Sequence, residues 1–226
     1  MPSEEEDDEA EIPTALPCTE AGACNPAPIK PDNFNKAAQI PFGCTVADIS
    51  AAMTEFISFL GFINTQLGTK KLPRLESFMM AANFSSLVGE FMSATIPKYC
   101  KTLIKNSYHN GHPDMLPKGK FPKDSMLHAP EGIEIKASRY LKAWQGHNVE
   151  DVWLMVFVFD SNTARHEGMG LGPRPFRFVK VVGAEITKKD WKASGRRKGG
   201  RRTITASVTP SGFAKMERNW IYRADL

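Results

Sequence analysis

The sequence has no apolar run longer than eight residues, Val152 to Phe159. Roughly 20 are needed to cross a bilayer, so no transmembrane segment and no membrane partner are expected. The N-terminus lacks a basic region followed by an apolar stretch, and no secretory signal is expected. Cysteine is sparse. Cys18, Cys24, Cys44 and Cys100 lack paired zinc-type spacing and read as reduced thiols of a cytoplasmic protein. Positive charge is missing from one end: residues 1–29 hold eight acids and neither Lys nor Arg. From Lys30 onward 29 bases face 17 acids, so a formal net charge of +4 hides a body of +12. Charge asymmetry of that kind points to a polyanionic partner.

What is present suffices for a single domain: 226 residues, 42% of them hydrophobic. The acidic run and the prolines that follow (Pro13, Pro17, Pro26, Pro28, Pro31) bury little apolar surface. Residues 1–40 are expected to be a mobile or loosely draped arm, able to compete with nucleic acid for a basic cleft. The remainder, 41–226, reads as one domain with a helical part (41–106), a sheet (107–182), and a basic loop with a C-terminal part (183–226).

Val46, Ile49, Met53, Phe56, Ile57, Leu60 and Ile63 recur at helical spacing, and Gly68 and Pro73 end the pattern. A second helix is expected from about Leu75 to Ile104, kinked or divided at Pro97, with Glu90 inside it. Met126–His128, Ile133–Ala137, Trp153–Phe159, Phe176–Val182 and Thr203–Val208 read as strands, Ser138–Trp144 as a helical turn, and Ser211–Arg218 as a helix. Trp153–Phe159 is apolar throughout, as a strand buried on both faces requires. The expected class is α/β or α+β, a mixed sheet flanked by helices.

Two segments carry candidate chemistry: Gly111-His112-Pro113-Asp114 and Gly132-Ile133-Glu134-Ile135-Lys136. Residues two apart on a strand share a face, so Glu134 and Lys136 project together while Ile133, Ile135 and Ala137 face the core. Two acids beside a lysine suit a hard cation such as Mg2+, with Mn2+ as its substitute. Such a cation polarises a phosphodiester and acidifies a bound water.

Pro113-Asp114 followed by Glu134-Ile135-Lys136 resembles the PD-(D/E)xK nuclease superfamily, which includes many type II restriction endonucleases. The resemblance covers about residues 85–160. It implies a restriction-endonuclease-like core. Asp114, Glu134 and the Ile135 carbonyl would hold metal, Lys136 would be the catalytic lysine, and Glu90 a further acid from the preceding helix. It also implies a homodimer that cuts both strands of double-stranded DNA in a bacterial, archaeal or viral setting. Arg139, just after the triplet, is expected near a DNA phosphate, and Gln145 and His147 near the scissile group or the DNA. Lys188, Lys189, Arg196, Arg197, Lys198, Arg201 and Arg202 form a Gly-spaced basic loop suited to a phosphate backbone. His166, Arg174 and Arg177 would add contacts. Competing readings are a structure-specific repair or junction nuclease, a non-catalytic DNA-binding protein, and a histidine-metal nuclease around His109 and His112.

Overall fold

The computed structural model describes residues 16–142, 144–146, 149–193 and 206–225. A short helix, α1 (Glu20–Ala23), opens the described chain. The long helix α2 (Val46–Thr69) starts at a capping box. The Thr45 side chain accepts from the Asp48 N–H at 3.2 Å, and Asp48 Oδ2 accepts from the Thr45 N–H at 2.8 Å. Its Ile49, Ala52, Met53, Phe56 and Leu60 are buried, the face its apolar spacing predicts. Among the described residues α2 is the one helix long and apolar enough to cross a bilayer by length and composition; here its apolar face lies in the protein core.

The helix expected over 75–104 is instead two helices and a strand: α3 (Leu75–Phe78), α4 (Ala81–Tyr99) and β1 (Leu103–Lys105). Pro97 falls in the last turn of α4 and Cys100 caps it. Leu103 and Ile104 belong to the sheet because β1 pairs antiparallel with β2 (Met115–Pro117). Met126–His128 forms no strand of its own, only an isolated bridge between His128 and His112.

β3 (Ile133–Ser138) follows, then bends at 139–142 where a helical turn was expected, and the two-residue β4 (Gln145–Gly146). Next come β5 (Val152–Asp160), the short helix α5 (Ala164–Gly168), β6 (Arg177–Ile186), β7 (Trp191–Ala193) and β8 (Ala206–Val208). The chain closes with α6 (Pro210–Arg218) and β9 (Trp220–Arg223). The main sheet has the order β1-β2-β3-β5-β6-β9, with β3 and β5 parallel and the other neighbours antiparallel. A second sheet has the order β4-β8-β7. The protein is therefore mixed α+β with a mixed central sheet.

The apolar run 152–159 of β5 follows from its position between two cores. Met155, Phe157 and Phe159 pack with Phe56, Phe84, Val88 and Met92 of α2 and α4. Leu154, Val156 and Val158 pack on the other face with Trp144, Trp191, Val208 and Met216. Phe56 sits 5.1 Å from Phe91 and 5.3 Å from Phe176, ring centre to ring centre. Burial of one such side chain contributes about 1.5–3 kcal/mol.

Residues 16–40 are not loosely draped. The Cys18 N–H donates to the Pro173 carbonyl and the Ala27 N–H to Phe176, both at 2.8 Å. Phe34 is buried, its ring 4.8 Å from that of Tyr222. Prolines restrict the unfolded segment, so fewer contacts suffice to dock it. The acids at 4–11 lie outside the described residues.

Candidate active site

Strand β3 aims its two polar side chains to one side. Ile133 and Ile135 are buried in the helix-side core, and Lys136 donates to Glu134 Oε1. The preceding segment is brought alongside by Asn106. Its side-chain amide donates to the carbonyls of Pro113 (3.1 Å) and Met126 (2.8 Å), and its backbone N–H donates to Asp114 at 2.8 Å. Gly132 allows the close approach that follows. A Cβ there would lie 2.3 Å from the Met115 carbonyl and 3.1 Å from Pro113. Asp114 Oδ2 then accepts from the Ile135 N–H at 2.7 Å. In an extended strand one residue's N–H and C=O face the same neighbour, so the Ile135 carbonyl leaves β3 on the Asp114 side.

Asp114, Glu134, Ile135 and Lys136 all line one cavity of about 540 Å³, as do Glu90 and Gln145. Glu90 is largely exposed, and its carboxylate binds Lys105 at 2.6 Å. Two further lining residues carry chemistry here: His112, considered in the sequence only as a histidine-metal ligand, and Glu150, which the sequence did not suggest. His112 Nδ1 lies 2.9 Å from Glu134 Oε2, and its Nε2 lies 2.9 Å from Glu150 Oε2. Trp191 donates to the Glu150 carbonyl at 2.8 Å, which fixes that loop. His112 adjoins the Pro-Asp pair and was legible as a neighbour. Glu150 has no local signal, because only the fold brings it to His112.

The charges are strongly coupled. Burial works against an ionised Glu134, but His112 and Lys136 outweigh it and hold the carboxyl below its ordinary range. Burial also opposes a charged His112, yet Glu134 and Glu150 prevail and raise it to about 10. Asp114 goes the other way, up to about 7, first through burial and then through the charge of Glu134. Two carboxyls coupled in this way share a proton that belongs to the pair.

This donor set fits a hard divalent cation. Glu134 Oε2 is buried and, despite its charge contact with His112, has no hydrogen-bond partner. Magnesium needs one or two carboxylates and keeps several waters. The two acids and the Ile135 carbonyl meet that requirement. Among the described residues, the one set of three His, Cys, Asp or Glu ligand atoms within 4.8 Å of one another lies elsewhere, at Cys44, Asp48 and Cys100.

A pH dependence follows. The Asp114 carboxyl is protonated in both folded and unfolded chains below about pH 4. Between there and about 7 the folded chain keeps a proton that the unfolded chain releases, so metal-free stability falls as pH rises. The affinity for a cation held by Asp114 would rise over the same window, because the cation would displace that proton. Thermal melts from about pH 5 to about pH 8 are expected to show a falling Tm in chelator and a growing Mg2+-induced rise. A Mg2+ shift of equal size at every pH would contradict the assignment.

Other expected DNA contacts lie elsewhere. Arg139 donates to the Ser161 carbonyl (2.7 Å), the Ser161 hydroxyl (2.9 Å) and the Asn162 carbonyl (3.3 Å), so its guanidinium holds the end of β5. Arg174 and Arg177 pair with Asp160 at 3.6 and 3.5 Å, and all three are largely buried. Asp160 ends β5 as a buried acid. Lys180 is also buried, bonded to Glu217 and set over the rings of Trp144 and Phe213. His166 does not line the cavity. Lys188, Lys189 and Lys192 are exposed beside Trp191, which does line it. His147, Arg196, Arg197, Lys198, Arg201 and Arg202 lie outside the described residues. Compared with protein-family models, curated proteins and solved structures, the chain matches none.

Proposed function

We propose that the chain is a Mg2+-dependent endonuclease of double-stranded DNA, built on a restriction-endonuclease-like core and acting as a homodimer in the cytoplasm. One observation carries this reading. Asp114, 20 residues before Glu134 in the chain, meets Glu134 and Lys136 in one cavity with the Ile135 backbone. A solvated strand face would leave the Glu134 carboxylate in water, whereas here its side chain is 8% exposed.

A magnesium ion held by Asp114, Glu134 and the Ile135 carbonyl would supply Lewis acidity to the phosphodiester and acidify an attached water. The chain's own groups do the rest. The Ile135 N–H orients the Asp114 carboxylate. Lys136, kept charged mainly by Glu134 against the effect of burial, orients the attacking water and offsets charge building on the phosphate. His112 keeps Glu134 ionised and is itself tied down by Glu150. Gln145 stands on the cavity wall as a donor for a phosphate oxygen. Lys188, Lys189 and Lys192, with the bases at 196–202, grip the backbone with salt-sensitive affinity.

The test is supercoiled plasmid incubated with the full chain and Mg2+ or Mn2+. Cleavage that stops in EDTA is expected. Discrete fragments would add sequence specificity, and a smear would mean cutting without it. Salt-sensitive DNA binding with no cleavage in any divalent metal would leave a binding protein and sink the enzyme reading.

A further inference from the structure

We propose that Cys44, Asp48 and Cys100 form a second metal site, one that takes a thiophilic divalent cation such as Zn2+. The inference is independent of the nuclease reading, since none of the three residues lines the cavity of Asp114 and Glu134.

Both thiols are free, and a carboxylate oxygen of Asp48 and the two sulfurs lie within 4.8 Å of one another. Zinc–sulfur bonds of about 2.3 Å in a tetrahedron place two sulfurs about 3.8 Å apart. Side-chain rotation of an ångström or so closes the present arrangement around an ion. Thiolates with one carboxylate select zinc over magnesium, because soft sulfur suits borderline cations.

Two stretches of backbone converge here, residues 42–48 and 100–102. Phe42 and Gly43 both have left-handed conformations, φ 58° and 70°, and turn Cys44 inward just before α2. Asp48 belongs to the first turn of α2, whose partial positive charge favours an anionic ligand set. Both of its capping bonds end on Oδ2, so Oδ1 can bind a cation without loss of the cap. Cys100 caps the far end of α4, and its sulfur lies 3.2 Å from Thr102 Oγ1, which in turn donates to the Phe42 carbonyl. Cys44 also lines a surface cavity of about 520 Å³, which offers an entry path and a position for water as the fourth ligand. A bound cation would staple the start of α2 to the end of α4. Burial keeps the Cys44 thiol protonated without a cation, so uptake releases protons.

The test is titration of the full, reduced, chelator-stripped chain with Co2+. A sulfur-to-cobalt charge-transfer absorption with strong tetrahedral visible bands is expected, and Zn2+ should bleach both. Cys44→Ser and Cys100→Ser should lose the signal, while Cys18→Ser and Cys24→Ser keep it. Buried cysteine variants can unfold, so Asp48→Asn is the second arm. It keeps a capping oxygen, so the metal-free chain should stay folded while Co2+ binding weakens ~10-fold or more. Absence of the charge-transfer absorption in the reduced wild-type chain overturns the site. So does its persistence in folded Cys44→Ser or Cys100→Ser. A mass lower by two hydrogens, restored by reductant and accompanied by no Co2+ signal after reduction, would mean a disulfide pair instead.

Discussion

Asp114→Asn is expected to lower Mg2+-dependent plasmid cleavage by roughly 10²–10³-fold or more while it raises the Tm of the metal-free chain. The two effects share one cause. Asp114 lies beside Glu134, and burial first, then repulsion from Glu134, pushes its carboxyl up to about 7. At neutral pH the two together are a standing cost to the fold, on the order of 1–3 kcal/mol. An asparagine accepts the Ile135 N–H as well as aspartate does and can donate to Glu134 Oε2, which has no hydrogen-bond partner. The expected rise is on the order of 5 °C at a pH near 8.

Lys136→Ala is the counterpart. It should lower cleavage by a comparable ~10² or more, but it should lower stability too, because Glu134 stays buried with one cation removed. Opposite stability effects with the same loss of activity separate a reaction centre from a structural ion-pair cluster. If cleavage tracks Tm across both variants, the catalytic assignment fails. If Asp114→Asn destabilises the chain, the argument from burial and repulsion fails.

The largest effect on stability is expected far from that cavity. Arg74 is 1% exposed and bonds Glu76, itself fully buried, at 2.7 Å, Glu20 at 2.8 Å, Asn162 at 3.2 Å and the Arg174 carbonyl at 3.1 Å. Asn64 completes the set by donating to Glu76 at 2.9 Å. Removal of one member of a buried pair leaves an uncompensated charge and costs about 3–5 kcal/mol. Arg74→Ala should lose that much in urea melts and expose the 16–40 segment to protease. Arg74→Lys should not rescue it, because one ammonium cannot reproduce the forked set of donors. Lys30→Ala, which breaks the exposed pair with Asp225, should leave the melt unchanged. An Arg74→Ala chain that melts like the wild type would refute the role of this network.

Local regularities of the sequence anticipated what depends on local geometry. The apolar spacing from Val46 gives α2, and the unbroken run at 152–159 gives β5, because each reflects a face or faces buried along a single element. The period of two on β3 places Glu134 beside Lys136, and β3 runs parallel to β5. Long-range pairing was not legible in the same way. β1, β2 and β9 are three or four residues long, too short for periodicity, and exist because a partner strand satisfies them. Arg139 looked like a phosphate ligand because it follows the triplet, but the fold delivers Ser161 and Asn162 to its guanidinium. The same blindness hid Glu150 at His112 and Cys100 at Cys44, since in each case the contact joins segments that share no sequence pattern.

The bridge between Phe34 and Tyr222 has a consequence for solubility. Tyr222 lies on the last strand of the main sheet and pairs inward with Val181 and outward with Phe34. The neighbouring Asn35 N–H donates to the Ile221 carbonyl at 3.0 Å, which occupies an acceptor that would otherwise face water. The N-terminal segment thus works as a selvedge on the sheet. A chain begun beyond Asn35 would lose Phe34 from the helix-side core and present β9 as a raw border, open to a strand from another molecule. Self-association after such a truncation would then reflect a lost hem on the sheet and carry no information about DNA or a functional dimer.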